Sequence, residues 1–243
     1  MKAVVTGHSK GLGAAIASAL LERGIPVMGI SRGANNDLAQ RHGEMLTEVE
    51  LDLAHGASVA HWLTCGDLSR WLADADTALL INNAGVVTPV APPGKQGAAA
   101  VALAVSINVA APLIMADAFV SATQHMPDRR IVHISSGAAR KAYAGWSVYC
   151  ATKAALDHHA RAMIEDAVPN LRVCALAPGV IDTDMQTTLR GSSQDNFPSL
   201  PRFEALKREG GLTSPEDCAA RLVPYVLSDA FGQAATADLR DIG

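Results

Sequence analysis

Short apolar runs alternate with longer segments of helical period along the whole chain. The runs Ala3–Thr6, Val27–Ser31, Glu48–Leu53, Ala78–Asn82, Arg130–Ser135 and Leu171–Ala177 have the length and residue types of strands. Ala14–Arg23, the region around Val101–Thr123, Val148–Asp166 and Pro215–Leu227 read as helices. Strands that alternate with helices in this way predict an α/β fold, a doubly wound and mostly parallel sheet of about seven strands with helices on both faces. No internal repeat interrupts the pattern and no linker is long enough to divide it. Residues 1–243 therefore read as a single domain.

Composition narrows the class. Hydrophobic residues make up 49% of the 243 and charged residues 18%, enough to bury a sizeable core. Aromatics are only 4%, so that core is mostly Ala, Val, Leu and Ile. A net charge of −4 with no basic run argues against nucleic acid or an anionic membrane surface as partner. No apolar stretch approaches the ~18 residues of a transmembrane helix. A strand beginning at Lys2 leaves no room for a signal peptide. Cys65, Cys150, Cys174 and Cys218 lack metal-ligand spacing and read as reduced thiols, so a cytoplasmic location is expected. The eight histidines do not cluster as metal ligands do, and no metal is expected.

The candidate chemistry centres on Tyr149 and Lys153, which fall at i and i+4 on one face of a helix. A phenol titrates near pH 10 on its own, and an ammonium one turn away is expected to favour the phenolate and lower that value. Ser136, at the end of the apolar run Ile131–Ile134 and after Ser135, can hold a carbonyl oxygen beside the phenol.

The first strand runs into Thr6-Gly-His-Ser-Lys-Gly-Leu-Gly13 and then a helix. Glycines at 7, 11 and 13 permit a tight turn and close approach of backbone to a pyrophosphate, which the helix N-terminus would hold, as in a Rossmann-type fold. Gly7, Ser9, Lys10, Gly11, Leu12 and Gly13 are the candidate phosphate-side residues. Where an Asp or Glu would bond a ribose 2′-hydroxyl, the second strand ends in Ser31 and Arg32. Together with Lys10 this favours a 2′-phosphate, hence NADP(H) over NAD. Asp52, followed by Leu53, either bonds the adenine amine or caps the turn to Gly56.

Asn82-Asn-Ala-Gly85 closes the fourth strand; Asn82 is read as structural and Asn83, Ala84 and Gly85 as cofactor-adjacent. Pro112 has no N–H for the carbonyl of Asn108, which predicts a kink where a free carbonyl can bind water. Pro178-Gly179 turns the chain after the sixth strand. Ile181 then lies against the cofactor, and Thr183 faces a carboxamide or a phosphate. From 184 to 211 the sequence is polar and irregular apart from a helical piece near Phe203–Arg208, and it predicts a substrate lid.

In order and spacing these motifs resemble the short-chain dehydrogenase/reductase family over essentially the whole chain. The resemblance implies that Asn108, Ser136, Tyr149 and Lys153 are catalytic, with Tyr149 giving a proton to a carbonyl that receives hydride from NADPH. It also implies that Ser136 bonds the same oxygen, that Lys153 holds the nicotinamide ribose and depresses the Tyr149 pKa, and that Asn108 positions a relay water. Pro178 to Gln186 is similar to sepiapterin reductases and their bacterial diketone (benzil-type) reductase relatives. The expected substrate is a small ketone or vicinal dicarbonyl, with Tyr143, Trp146, Val180 and Met185 as apolar pocket walls. The resemblance leaves open an NADP-linked alcohol or 3-oxoacyl oxidoreductase. The filled catalytic positions argue against an NADPH-sensing regulator. By the same analogy, the two long helices pair subunits into a homodimer or homotetramer.

Overall fold

The five inner strands belong to largely apolar stretches because the sheet they form is covered on both faces, while the two edge strands are more polar. The computed structural model describes residues 1–242; Gly243, the end of the predicted single domain, lies outside the described residues. The strands are β1 (Lys2–Thr6), β2 (Val27–Ser31), β3 (Leu46–Glu50), β4 (Thr77–Asn82), β5 (Asp128–Ile134), β6 (Leu171–Ala177) and β7 (Thr236–Asp238). They form one sheet in the order β3-β2-β1-β4-β5-β6-β7 with every pairing parallel. The helices are α1 (Gly11–Leu21), α2 (Asn36–His42), α3 (Gly56–Thr64), α4 (Asp67–Leu72) and α5 (Ala98–Val105). They continue with α6 (Ala111–Ala122), α7 (Ser147–Glu165), α8 (Asp184–Arg190), α9 (Leu200–Arg208) and α10 (Pro215–Leu227).

Successive side chains along each strand point to opposite layers. Ala3, Val5, Leu79, Ile81 and Val132 pack with α1 and α10, while Val4, Ala78, Leu80 and Ile131 pack with α3, α4, α6 and α7. Chain order reverses between β1 and β4. The ends of these strands therefore splay apart, and that is where a ligand crevice forms in an open parallel sheet.

Three sequence expectations change. The third strand ends at Glu50 rather than Leu53, because β3 is an edge strand whose burial fades along its length. Helices α2, α3, α4 and α8 were not anticipated. The first two bury one residue each, Leu38 and Val59, too little to leave a periodic signature. Third, the chain does contain a segment long and apolar enough to cross a membrane by length and composition: the continuous helical run Ala98–Ala122, 25 residues. Ser106, Asn108 and Pro112 break up its apolar sequence, yet the helix continues through them by one π-helical turn, Ser106–Ala110. That wide turn absorbs the N–H that Pro112 lacks. Met115, Ala116 and Phe119 of the run lie fully buried beneath the sheet.

Candidate active site

A cleft of about 860 Å³ opens at the carboxyl ends of the parallel strands. Every residue nominated from sequence for cofactor binding lines it, from Gly7 through Arg32, Asp52 and Gly85 to Thr183, and so do Ser136, Tyr149 and Lys153. Asn108 alone does not.

At the dinucleotide end the site is made of backbone. Gly7 and Gly11 hold φ of +71° and +56°, and a Cβ on Gly13 would collide with the Gly7 carbonyl oxygen. Helix α1 begins there with no side-chain cap on its free N–H groups and no acidic residue in its first turn. This cradle and donor set fit a pyrophosphate. Thr6 ties the turn to β4: its Oγ1 accepts from the N–H groups of Asn83 (3.0 Å) and Ala84 (3.1 Å). Asn83 Nδ2 donates back to the Thr6 carbonyl at 3.0 Å, so the Asn83 side chain serves the turn as much as any ligand. Asn82 is structural as expected, donating to the Pro112 carbonyl and to His133 Nδ1, each at 3.2 Å.

The ribose end is less open than the sequence suggests. Ser31 turns inward, donating to the Gly33 carbonyl (2.6 Å) and meeting His8 Nδ1 (3.2 Å). His8 Nε2 in turn meets Glu48 Oε1 at 2.7 Å, and Glu48 also accepts the Asn35 N–H at 2.6 Å. His8 and Glu48 were not foreseen, since nothing in a lone His and a strand Glu forty residues apart announces contact. Asp52 caps its own turn, Oδ1 accepting from the Ala54 N–H at 2.9 Å. Lys10 does not stand free for a phosphate. Its ammonium pairs with Asp184 at the start of α8, 2.7 Å away, with both side chains well exposed. Arg32 is exposed and has no ion pair among the described residues.

At the centre, Lys153 is buried and donates to the Ile134 carbonyl at 2.8 Å. Its ammonium lies 5.8 Å from the Tyr149 ring centroid. Burial pulls the Lys153 pKa down to about 8, against the attraction of Asp157 one turn further on. Burial also pushes Tyr149 up to about 12, with the Ser136 hydroxyl as the opposing influence. The expectation that Lys153 lowers the phenol is thus reversed here. Desolvation outweighs an ammonium committed to a strand carbonyl. Asp157 itself is buried, accepting from Ser135 Oγ (2.5 Å) and Arg140 Nε (3.0 Å). Sequence carried a signal for it, an acid at i+4 from Lys153 on the same helix face.

Asn108 acts from behind the cleft. Its amide clips Val86, Oδ1 accepting the N–H and Nδ2 donating to the carbonyl, both at 2.8 Å, and Nδ2 also reaches Thr152 Oγ1 at 3.2 Å. The loop after β4 is thereby pinned to α7, and Gly85 sits where a Cβ would press on Asn108 Oδ1 at 3.3 Å and merely touch Lys153.

The excursion from 184 to 211 is not irregular. Its base is closed by a parallel bridge between Ile181 and Thr213, and it carries α8 and α9. Leu189 and Phe197 are fully buried, and with Leu200 and Phe203 they form a third core with Trp146, Tyr149, Val87 and Ala138. Gly145 admits this packing, since a Cβ there would collide with the Asn196 carbonyl oxygen. Tyr143, Trp146, Val180 and Met185 line the cleft beside these residues.

The short chain dehydrogenase family profile matches residues 1–194. A benzil reductase ((S)-benzoin forming) of Bacillus cereus is 35% identical over 95% of this chain and 95% of its own. A sepiapterin reductase of Mus musculus is 30% identical over 98% of this chain and 96% of its own. Among solved structures, a short-chain dehydrogenase/reductase from Burkholderia vietnamiensis is 46% identical, covers 100% of this chain and 98% of its own, and superposes with a TM-score of 0.73.

Proposed function

The chain belongs to the short chain dehydrogenase family, whose members use nicotinamide cofactors, and we propose that it is an NADPH-dependent reductase of a small ketone or vicinal dicarbonyl. The observation that carries this reading is the convergence of Ser136, Tyr149 and Lys153 on one cleft, with Lys153 Nζ 5.8 Å from the Tyr149 ring centroid. The phenol, pushed up by burial, is protonated at neutral pH as any phenol is, the form a carbonyl reduction requires. The reduced nicotinamide supplies the hydride when bound. Tyr149 Oη then gives its proton to the substrate oxygen, an alkoxide in the making and a stronger base than the phenolate. Ser136 Oγ lies beside Tyr149 and donates to the same oxygen as charge grows there. Lys153 holds the ribose and returns the proton to Tyr149. Asn108 is a positioning residue, fixing the Val86 loop against α7 and with it the Gly85 wall.

Selectivity for the 2′-phosphate rests on Arg32, with Lys10 exchanging its Asp184 partner for the phosphate. The 184–211 excursion serves as the lid, and its aromatic core favours an apolar, unsaturated substrate. A dimer or tetramer in the cytoplasm completes the reading. Leu103 and Val105 of α5 and Ile164 of α7 are exposed large apolar residues on the two helices expected to pair subunits. The four cysteines are all unpaired, as suits a reducing compartment.

The test is NADPH oxidation, followed by absorbance, against sepiapterin, benzil, simple aromatic ketones and a 3-oxoacyl thioester, with NADH as control. Turnover of diketones with NADPH and not NADH supports the proposal. Turnover of the thioester alone moves the enzyme to acyl chemistry, and silence despite tight NADPH binding sinks the catalytic reading.

A further inference from the structure

Tyr149, Lys153 and Asp157 stand at i, i+4 and i+8 on the buried face of α7. Each meets one of three consecutive residues where β5 ends. Lys153 Nζ donates to the Ile134 carbonyl at 2.8 Å, Asp157 Oδ1 accepts from Ser135 Oγ at 2.5 Å, and the phenol of Tyr149 has the Ser136 hydroxyl beside it. The first and third contacts belong to reacting groups. The second does not, since Asp157 stands outside the cleft. Yet Asp157 is only 3% exposed, and a buried carboxylate is costly unless it is paired. Its other oxygen accepts from Arg140 Nε at 3.0 Å, and Arg140 Nη2 donates to the Ala237 carbonyl of β7 at 3.3 Å. The Ser135 N–H is bound in turn to the Leu176 carbonyl of β6 at 2.9 Å. One carboxylate thus ties α7 to the end of β5 and, through its partners, to β6 and β7.

We propose that Asp157 is a positioning residue for the reduction, locking α7 against the end of β5 in the one arrangement that brings Ser136, Tyr149 and Lys153 together. This rests on the reductase reading above and goes on from it. An apolar residue would fill the site at a smaller cost in desolvation, but it would leave α7 free to shift against Ser136, and a small displacement of reacting groups costs rate. The carboxylate also acts through Lys153, one turn away, where its negative charge favours the ammonium against burial. The other groups facing this pair are His133 of β5, at about 3, and Cys174 of β6, at about 11, both neutral near pH 8. The Arg140 guanidinium, with Asp238 of β7 near it, completes the set.

The full-length protein is isotope-labelled at lysine Cε, and the Lys153 signal, assigned by its loss in Lys153→Arg, is followed against pH by NMR. In parallel, kcat and KM are measured with NADPH and benzil. Asp157→Asn keeps the shape of the clamp, with its amide oxygen toward Arg140 and its Nδ2 toward Ser135, and removes the charge. The Lys153 midpoint, about 8 in the wild type, is expected to fall by about one pH unit, and the alkaline limb of kcat/KM with it. Arg140→Met leaves the carboxylate without its cation, and the midpoint is expected to rise. Ser135→Ala keeps the charge and removes one arm of the clamp: kcat is expected to fall about tenfold, with KM for NADPH and the Lys153 midpoint unchanged. A loss of thermal stability alone, with Lys153 and kcat as in the wild type, overturns the inference and leaves the reductase reading intact. So does a midpoint that moves the same way in Asp157→Asn and Arg140→Met. If the wild-type enzyme reduces neither benzil nor a simple aromatic ketone, the reductase reading fails on its own. The NMR titrations then decide the hold of Asp157 on Lys153: opposite shifts in the two variants sustain it, and equal or absent shifts refute it.

Discussion

At its dinucleotide end the cleft is built from main chain and small residues at strand ends, whereas at its substrate end it is built from aromatic side chains carried partly by the 184–211 excursion. The chain has four Phe, three Tyr and three Trp, and five of these rings (Tyr143, Trp146, Tyr149, Phe197 and Phe203) converge at the second end. At the first end the shape is set by where a Cβ cannot go, as at Gly13. Backbone recognition suits a ligand that never changes. Side-chain recognition suits one that varies between relatives, since rings can be exchanged without moving the sheet.

Removing a ring from the substrate end should separate the two ends most sharply. Phe197→Ala empties a fully buried site and should cost about 3–5 kcal/mol locally. Because Ile181 and Thr213 close the excursion at its base, the loss is expected to loosen residues 184–211 and spare the sheet. Hydrogen exchange should rise there and carbonyl turnover collapse, while the dissociation constant for NADPH changes little. A parallel loss of NADPH binding would mean the two ends are one cooperative unit.

The converse change tests Arg32, the cation proposed to meet the 2′-phosphate, which has no ion pair among the described residues. Arg32→Ala should raise KM for NADPH about tenfold, the loss of a charge-assisted contact, and leave NADH kinetics as they were. Equal effects on both cofactors would remove Arg32 from the 2′-phosphate.

The junction of the two ends carries the smallest of the three effects, and it is graded by pH. Lys153 loses its charge as pH rises through about 8, so kcat/KM for NADPH should be level below that value and decline above it. Tyr149, at about 12, stays protonated throughout the range. A profile that remains flat well above pH 8 would show that the ammonium is not used.

The same contrast explains what could be read from sequence. β2, β6 and α10 have the boundaries expected of them, because strands buried on both faces and a long capped helix leave strong patterns. The glycine turn and the nearness of Tyr149 to Lys153 were legible for a related reason, since close backbone approach and i, i+4 spacing are local facts. Of the excursion's two helices, α9 was expected in part, near Phe203–Arg208, while α8 was not, because Leu189 and Phe197 are held by partners distant in sequence. The same holds for the His8–Glu48 contact, the Lys10–Asp184 pair and the reversal of the Tyr149 shift. Each depends on burial or on a residue brought in by the fold.

The most direct test of the proposed chemistry is a comparison of wild-type enzyme with Tyr149→Phe, measuring benzil-dependent NADPH oxidation and NADPH binding side by side. Loss of about 10³-fold in kcat/KM with unchanged NADPH affinity is the predicted result. Turnover that survives the loss of the phenol would contradict the assignment of Tyr149 as the proton donor, and with it the account of the site.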